Sequence, residues 1–381
     1  MSIADFVRDR AWKRSDVAGR LAMCGLYPLS WVFRGLIGLR DFAYWSRLAP
    51  VRRAAIPVVS IGNLTVGGTG KTPLALWLAR GLTARGVRVA LVSRGYGGSA
   101  SGVSVVSTGD GPLLGPQVVG DEPAMMARAF GGVVVTAPRR IDGVNEAARL
   151  GCEVAVLDDG FQHRALARDF DMVLYDGTRG PLLPAGPMRE SLRALRRADA
   201  VILTPAASAG DLVGFTPTAS GAGDAGPAAF RVTTELTGLI ESVGGVWEGR
   251  TCGCLAGKRV VAVSGIAHPE RFYELIRHWD AEIAEVFEYP DHHVYSHSDW
   301  QEISRRSQDC DLLVTTEKDL VKLEAFPFAR GKLMALRIES RVADGDRLLA
   351  MIEAATTLRD VATGGVLGYG LGEEESVHGD Q

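Results

Sequence analysis

Short apolar runs recur through the middle of the chain, with helix-like stretches between them. Residues 58–61, 87–92, 133–135, 154–157, 172–175 and 201–203 are dominated by Val, Ile, Leu and Met. Near-continuous runs of this kind suit strands covered on both faces, whereas a half-exposed strand would alternate apolar and polar positions. Residues 74–82, 124–130 and 141–150 carry apolar side chains at helical spacing. Strand and helix in alternation predict an α/β fold: a mainly parallel sheet flanked by helices, with its chemistry at the carboxyl ends of the strands.

The pattern then breaks. Residues 206–229 are mostly Ala, Gly, Ser, Thr and Pro and lack the side chains to build a core. Short connecting strands are expected at 231–235 and 239–243, followed by a second, smaller α/β alternation with strands at 259–264, 312–314 and 333–338. The predicted organisation is an N-terminal segment (1–50), a core (51–205), a linker (206–245), a smaller α/β domain (246–350), and a helix end with a disordered tail (351–381).

The N-terminal segment has its own pattern. Residues 21–33 hold no charge, and the apolar region around them is interrupted by Arg20, Pro28, Arg34 and Arg40. Thirteen uncharged residues fall short of the roughly 20 that a spanning helix needs. Trp31 and Phe33 stand where a signal peptide would need small residues. Two readings stay open: a helix packed on the protein's own core, or an in-plane helix whose Leu, Trp and Phe side chains enter the headgroup region of a membrane.

Composition narrows the classes. With 381 residues, 46% hydrophobic and 23% charged, the chain suits a globular protein of about two domains. A net charge of −3 gives no reason to expect nucleic-acid binding. The first 60 residues nevertheless carry ten Lys/Arg against four Asp, leaving −9 for the rest. Five scattered cysteines form no disulfide framework and suit a reducing cytoplasm; Cys252 and Cys254 alone do not make a metal site.

The strongest chemical signal is Gly62-Asn63-Leu64-Thr65-Val66-Gly67-Gly68-Thr69-Gly70-Lys71-Thr72-Pro73, directly after a strand and opening a helix. It resembles a Walker A loop, so the sheet reads as P-loop NTPase-like. Thr65 to Thr72 would bind nucleotide: backbone N–H groups turn toward phosphate oxygens, Lys71 reaches the β/γ-phosphates, and Thr72 can hold Mg²⁺. Thr65 stands where the general pattern has Gly.

After the strand at 154–157, Asp158 and Asp159 reach the same sheet edge, where one can hold Mg²⁺ as a Walker B aspartate does. Asp121, opening a predicted helix, is either its N-cap or a base for a substrate hydroxyl. His268, after the strand at 259–264, is suited to sharing a proton with a carboxylate or to capping a helix. The roles of His163, Glu317 and Lys318 stay open. His292, His293 and His297 have no diagnostic metal-ligand spacing.

Taken together, the chain resembles the tetraacyldisaccharide 4'-kinase (lipid A 4'-kinase) family over residues 20 to about 345. The resemblance rests on residues 62–73, 93–97, 120–123, 157–163, 182–187 with Arg189 and Glu190, 265–272 and 315–319. It implies transfer of the ATP γ-phosphoryl group, with Mg²⁺, to the 4'-hydroxyl of an acylated disaccharide 1-phosphate lipid at the cytoplasmic face of the inner membrane. It further implies Asp121 as general base assisted by His268, with Lys71 also catalytic. Asp158 and Asp159 become the Mg²⁺ and phosphate pair, and Arg94, Tyr96, Arg140 and Arg189 face the substrate. The inner-membrane surface is an implied partner; no obligate protein partner is inferred. Two alternatives are a P-loop kinase or synthetase of a soluble metabolite, and a membrane-associated nucleotide-hydrolysing switch. A switch hydrolyses nucleotide without an acceptor.

Overall fold

A computed structural model describes Trp12 and residues 17–212, 226–267 and 269–362. The first half comprises α1 (Val17–Trp45), β1 (Val58–Asn63), α2 (Lys71–Ala84), β2 (Val89–Ser93), β3 (Ser104–Thr108), α3 (Asp121–Phe130), β4 (Val133–Thr136), α4 (Arg140–Arg149), β5 (Val154–Asp158), β6 (Phe170–Tyr175) and β7 (Ala200–Leu203). The second comprises β8 (Ala228–Val243), β9 (Val246–Arg250), β10 (Arg259–Ser264), α5 (Glu270–His278), β11 (Glu282–Glu288), α6 (His297–Arg306), β12 (Leu312–Thr316), α7 (Glu317–Leu323), β13 (Leu333–Val342) and α8 (Gly345–Ala362).

All six apolar runs form strands, and β1, β2, β5, β6 and β7 are buried at every residue. They belong to one sheet in the order β11-β10-β12-β13-β8-β7-β6-β1-β5-β2-β4-β3, with β9 paired to β8. Pairing is parallel except at β3–β4, β8–β9 and β8–β13. β1 lies between β5 and β6, so the loop after it emerges at the middle of the first half.

The two short strands expected at 231–235 and 239–243 are one sixteen-residue strand, β8. Its start pairs with β7 in parallel and its remainder with β13 antiparallel. Gly238, the one glycine in this segment, pairs with Arg337, and a register shift between Arg337 and Ile338 lets the pairing with β13 continue past it. β8 therefore joins the halves into a continuous sheet whose two parallel sets run in opposite directions.

On one face, Leu74, Leu78 and Leu82 of α2 pack with Met126 of α3 on Val59, Ile61 and Val156. Each such leucine, fully buried at an i, i+4 spacing, contributes about 1.5–3 kcal/mol. Leu348, Leu349 and Ile352 of α8 return to this same cluster, tying the end of the described chain to the first half. The opposite face is covered by Val144 and Ala147 of α4. In the second half, α5 covers one face through Phe272 and Ile276, and α6 and α7 the other through Ile303 and Leu320. The tail expected to be disordered lies outside the described residues.

α1 corrects one expectation. It runs unbroken through Pro28, Arg34 and Arg40, and by length and composition it is long and apolar enough to cross a membrane. Counting only the uncharged run missed this, because a helix need not end at an arginine. The helix is docked lengthwise on the first half. Met23 packs on Ala185, Ser30 Oγ donates to the Leu182 carbonyl at 2.8 Å, and Arg40 and Asp41 pair with Glu190, Arg164 and Arg197. Its other side leaves Leu21, Trp31, Leu36, Leu39 and Trp45 exposed, the two tryptophans by 78% and 79%. All five cysteines are free thiols.

Candidate active site

β1 ends at Asn63 and α2 begins at Lys71, so the glycine-rich loop spans the gap between a central strand and a helix N-terminus. Gly70, the residue before the helix, has φ 90°, a left-handed conformation that glycine adopts without a Cβ penalty. Asn63 braces the loop: its amide donates to Thr69 Oγ1 at 2.9 Å, and its carbonyl oxygen accepts from Lys71 Nζ at 3.1 Å. Residues Gly67 to Thr72 line a cavity of about 940 Å³ that opens between the two halves. Thr65 and Val66 are not in its lining. The Thr65 hydroxyl is turned to Asn63 and Asp176, and the Val66 N–H donates to the Pro187 carbonyl, so these two residues anchor the loop from behind.

Asp158, the last residue of β5, accepts from Thr72 Oγ1 at 3.1 Å through Oδ2. Its Oδ1 is buried with no hydrogen-bond partner among the described residues. Burial, and next the Glu122 charge, push this carboxyl well above the usual range. Asp159 behaves oppositely. Burial works to raise its pKa, but Lys71 at 3.5 Å and Arg189 at 2.9 Å outweigh that and hold it low. A threonine hydroxyl beside a carboxylate oxygen that lacks a partner is a hard-oxygen donor set suited to Mg²⁺, which keeps its remaining positions for water and phosphate oxygens. Among the described residues no group of three His, Cys, Asp or Glu side chains is placed to hold a metal, so the 292/293/297 histidines and the 252/254 cysteines form no such centre.

Asp121 is the first residue of α3 rather than its cap; Gly120 occupies the cap position and the helix has no side-chain cap bond. Gly120 has φ 93°, and a side chain there would collide with the Tyr96 carbonyl. Freed from capping, Asp121 Oδ2 lies 3.4 Å from His292 Nδ1 and 3.2 Å from Lys322 Nζ, both from the second half. Burial opposes its charge, but the His292 hydrogen bond and the Lys322 charge hold its pKa below the ordinary range. Its neighbours Glu122, Tyr96 and His292 line the cavity, and Tyr96 meets the His292 ring edge-on at 5.4 Å. His268 lies outside the described residues. Among the described residues, the histidine that contacts Asp121 is His292, 171 positions away.

Arg94, Tyr96, Arg140 and Arg189 all line the cavity. Tyr96 is 69% exposed. Arg140, by contrast, is buried at the start of α4, with its Nε unpartnered among the described residues. Arg189 is not a free cation: both Asp159 oxygens accept from it. His163 also faces the cavity, and burial together with the Arg140 charge lowers its pKa. Glu317 and Lys318 line the far wall; burial pushes the Glu317 carboxyl up to about 7. Asn63, His292 and Lys322 were not singled out for these places in the sequence. The Asp291-His292-His293 triplet was the one signal that a polar loop gathers there.

A model of the tetraacyldisaccharide-1-P 4'-kinase family matches residues 22–357. The tetraacyldisaccharide 4'-kinase of Anaeromyxobacter dehalogenans strain 2CP-1 is 40% identical over 360 residues, which span 90% of this chain and 93% of that one. The chain belongs to the tetraacyldisaccharide-1-P 4'-kinase family. The enzyme of Syntrophus aciditrophicus strain SB is likewise 40% identical, over 336 residues covering 83% of this chain and 88% of its own. Among solved structures, the "apo" form of LpxK from Aquifex aeolicus in complex with ATP matches with a TM-score of 0.73 at 29% identity, covering 88% of this chain and 99% of that one. As a member of this kinase family the chain is a phosphotransferase, and the P-loop-type α/β fold expected from its sequence is the fold it has.

Proposed function

We propose that this kinase transfers the γ-phosphoryl group of ATP to the 4'-hydroxyl of a tetraacyldisaccharide 1-phosphate, a precursor of lipid A. Family membership supports this against both the soluble-metabolite kinase and the nucleotide-hydrolysing switch. The observation that carries the mechanism is the meeting, on one cavity, of the Lys71 phosphate loop with the His292 side chain that contacts Asp121.

Phosphoryl transfer asks a protein mainly to align the acceptor oxygen and to neutralise charge that develops between the phosphates. Lys71 and the loop N–H groups would hold the β- and γ-phosphates. Thr72 and Asp158 would hold Mg²⁺, whose chemistry when bound is charge neutralisation on the phosphate oxygens. Asp159, fixed by Lys71 and Arg189, keeps that lysine and arginine in register. The Asp121–His292 pair takes the proton of the attacking hydroxyl. Arg140, whose Nε has no partner among the described residues, and Arg94 are the cations suited to an anionic substrate headgroup, with Tyr96 beside them.

The acyl chains require a lipid surface. From Met23 to Tyr44, about 32 Å at 1.5 Å per residue, α1 lies along the protein body. Crossing a bilayer would drag the loop at 182–190 into hydrocarbon. An in-plane helix avoids that, with Trp31, Leu36 and Trp45 entering the headgroup region on the cytoplasmic face of the inner membrane. The organisation that goes with this reading is a P-loop core at 51–205 and a smaller α/β unit at 246–350 that closes the cavity.

The test is direct. Purified protein, labelled ATP, Mg²⁺ and detergent-solubilised tetraacyldisaccharide 1-phosphate are expected to give label on the sugar. Equal ATP hydrolysis with and without the acceptor, and an unlabelled lipid, would remove the proposal.

A further inference from the structure

Lys322 belongs to no part of the phosphate machinery, yet it is 8% exposed and its ammonium has three oxygen neighbours. They are Asp121 Oδ2 at 3.2 Å, Asp319 Oδ1 at 3.1 Å and the His293 carbonyl, which accepts at 3.0 Å. An ammonium has three hydrogens, so this geometry leaves it little freedom to turn. Asp319 is itself fixed, its Oδ2 accepting from the Gly265 N–H at 2.9 Å and from Thr316 Oγ1 at 2.8 Å. The Tyr295 ring lies 5.3 Å from Nζ. A buried lysine braced by its own half of the molecule thus reaches across and pairs with one oxygen of a carboxylate in the other half.

We propose that Lys322 is a positioning residue for phosphoryl transfer, holding Asp121 by Oδ2 so that the Asp121–His292 pair forms with fixed geometry. The inference rests on the reading of that pair as the proton acceptor. His292 contacts the same Oδ2, at 3.4 Å through Nδ1. His292 is in turn placed by Lys318, whose Nζ lies 3.3 Å from Nε2 and 2.6 Å from Asp291 Oδ1. Among the described residues, the charged groups around Asp121 are Glu122 on its own helix, Asp291 and His292 on the loop after β11, and Lys318, Asp319 and Lys322 on α7, and of these His292 and Lys322 pair with it.

An ion pair that merely joined the two halves would affect stability and leave the titration of the reaction alone. A positioning cation also lowers the pH at which Asp121 becomes able to accept a proton, so its removal moves the acid limb of the kcat profile upward. With Lys322→Met we expect kcat to fall about 10- to 100-fold, KM for ATP to stay within about 2-fold, and the acid limb to shift to higher pH. Lys322→Arg keeps the charge and should hold the limb near its wild-type place. The position of the limb does not depend on how much protein is folded; should the methionine variant fail to fold, Lys322→Gln gives the same readout. An unmoved acid limb in the neutral variant overturns the inference. Asp121→Asn tests the underlying reading separately: an expected loss of about 10²–10⁴ in kcat supports it, and near-normal turnover removes the proton-acceptor role whatever Lys322 does.

Discussion

Arg40 Nη2, near the C-terminal end of α1, lies 2.9 Å from Oε1 of Glu190, a carboxylate only 2% exposed. The residue before it, Arg189, closes on Asp159 at 2.9 Å. Two neighbours in one loop thus face opposite ways, one toward α1 and one toward the carboxylate that also pairs with Lys71. Asp41 adds a second tie, to Arg164, in the loop that carries His163.

Glu190 also pairs with Arg197 at 2.6 Å, so loss of Arg40 leaves it with one cation, and loss of Glu190 leaves the two arginines with Asp41 as the anion they share. A hydrogen bond to a charged group contributes about 1.5–3 kcal/mol, and Arg40 belongs at the lower end because it keeps 30% exposure. Arg40→Ala is expected to lower unfolding free energy by about that smaller amount in urea titration, and Glu190→Ala by more. Equal effects would mean that Glu190 acts through Arg40 and that its pair with Arg197 adds nothing.

Asp158 bears on the cation. A buried carboxylate whose Oδ1 has no partner among the described residues is costly when charged and becomes favourable once a divalent ion lies against it. Adding Mg²⁺ with ATP should therefore raise the melting temperature of the wild type and do so far less for Asp158→Asn. Without the ion the variant should match or exceed wild type above neutral pH, because it no longer exposes the fold to a buried charge. Its turnover is expected to fall about 10²-fold or more. An Asp158→Asn protein with the full Mg²⁺ increment would mean that the cation is held elsewhere.

Glu317 opens α7 with its carboxyl pushed up to about 7, chiefly by burial. Between its ordinary value of 4.5 and about 7 the folded protein keeps a proton that the unfolded chain has released. Stability therefore falls as pH rises through that window, and the loss is complete above it. Glu317→Gln removes the titration. Thermal melts at about pH 4 and about pH 8 should show the two proteins close together at the acidic end and the variant ahead by a few degrees at the basic end. Parallel curves across the range would rule the buried acid out as a cause.

The contrast between Lys71 and Lys322 shows what a sequence discloses. Lys71 was legible because everything that gives it meaning is local: a buried strand, a run of glycines, a helix start, and an acidic pair at the end of another apolar strand. Lys322 lies on a seven-residue helix whose pattern looks like ordinary capping, and its meaning comes from Asp121, 201 positions earlier. His292 was visible only as one of several histidines without ligand spacing. β8 escaped for a related reason, since the length of a strand is set by its partners, and β13 begins 90 residues after β8 ends. Short-range patterns specify elements and loops; pairings between the halves come from the sheet order.

The exposed side of α1 makes the last prediction. Trp31 and Trp45 are 78% and 79% exposed, and Leu21, Leu36 and Leu39 share that exposure. An aqueous surface gives such a row no favourable contact, whereas the headgroup region accepts indole rings and aliphatic chains together. Burying one large apolar side chain is worth about 1.5–3 kcal/mol, so even partial insertion of each tryptophan affects affinity roughly tenfold. A double variant, Trp31→Glu with Trp45→Glu, is expected to lose at least about tenfold in co-sedimentation with anionic vesicles. Both side chains point away from the contacts that dock α1, so turnover on detergent-solubilised substrate should stay within about twofold. If vesicle binding persists unchanged, α1 is not the membrane contact. If turnover in detergent collapses as well, the tryptophans act on the fold or the site instead of the lipid surface.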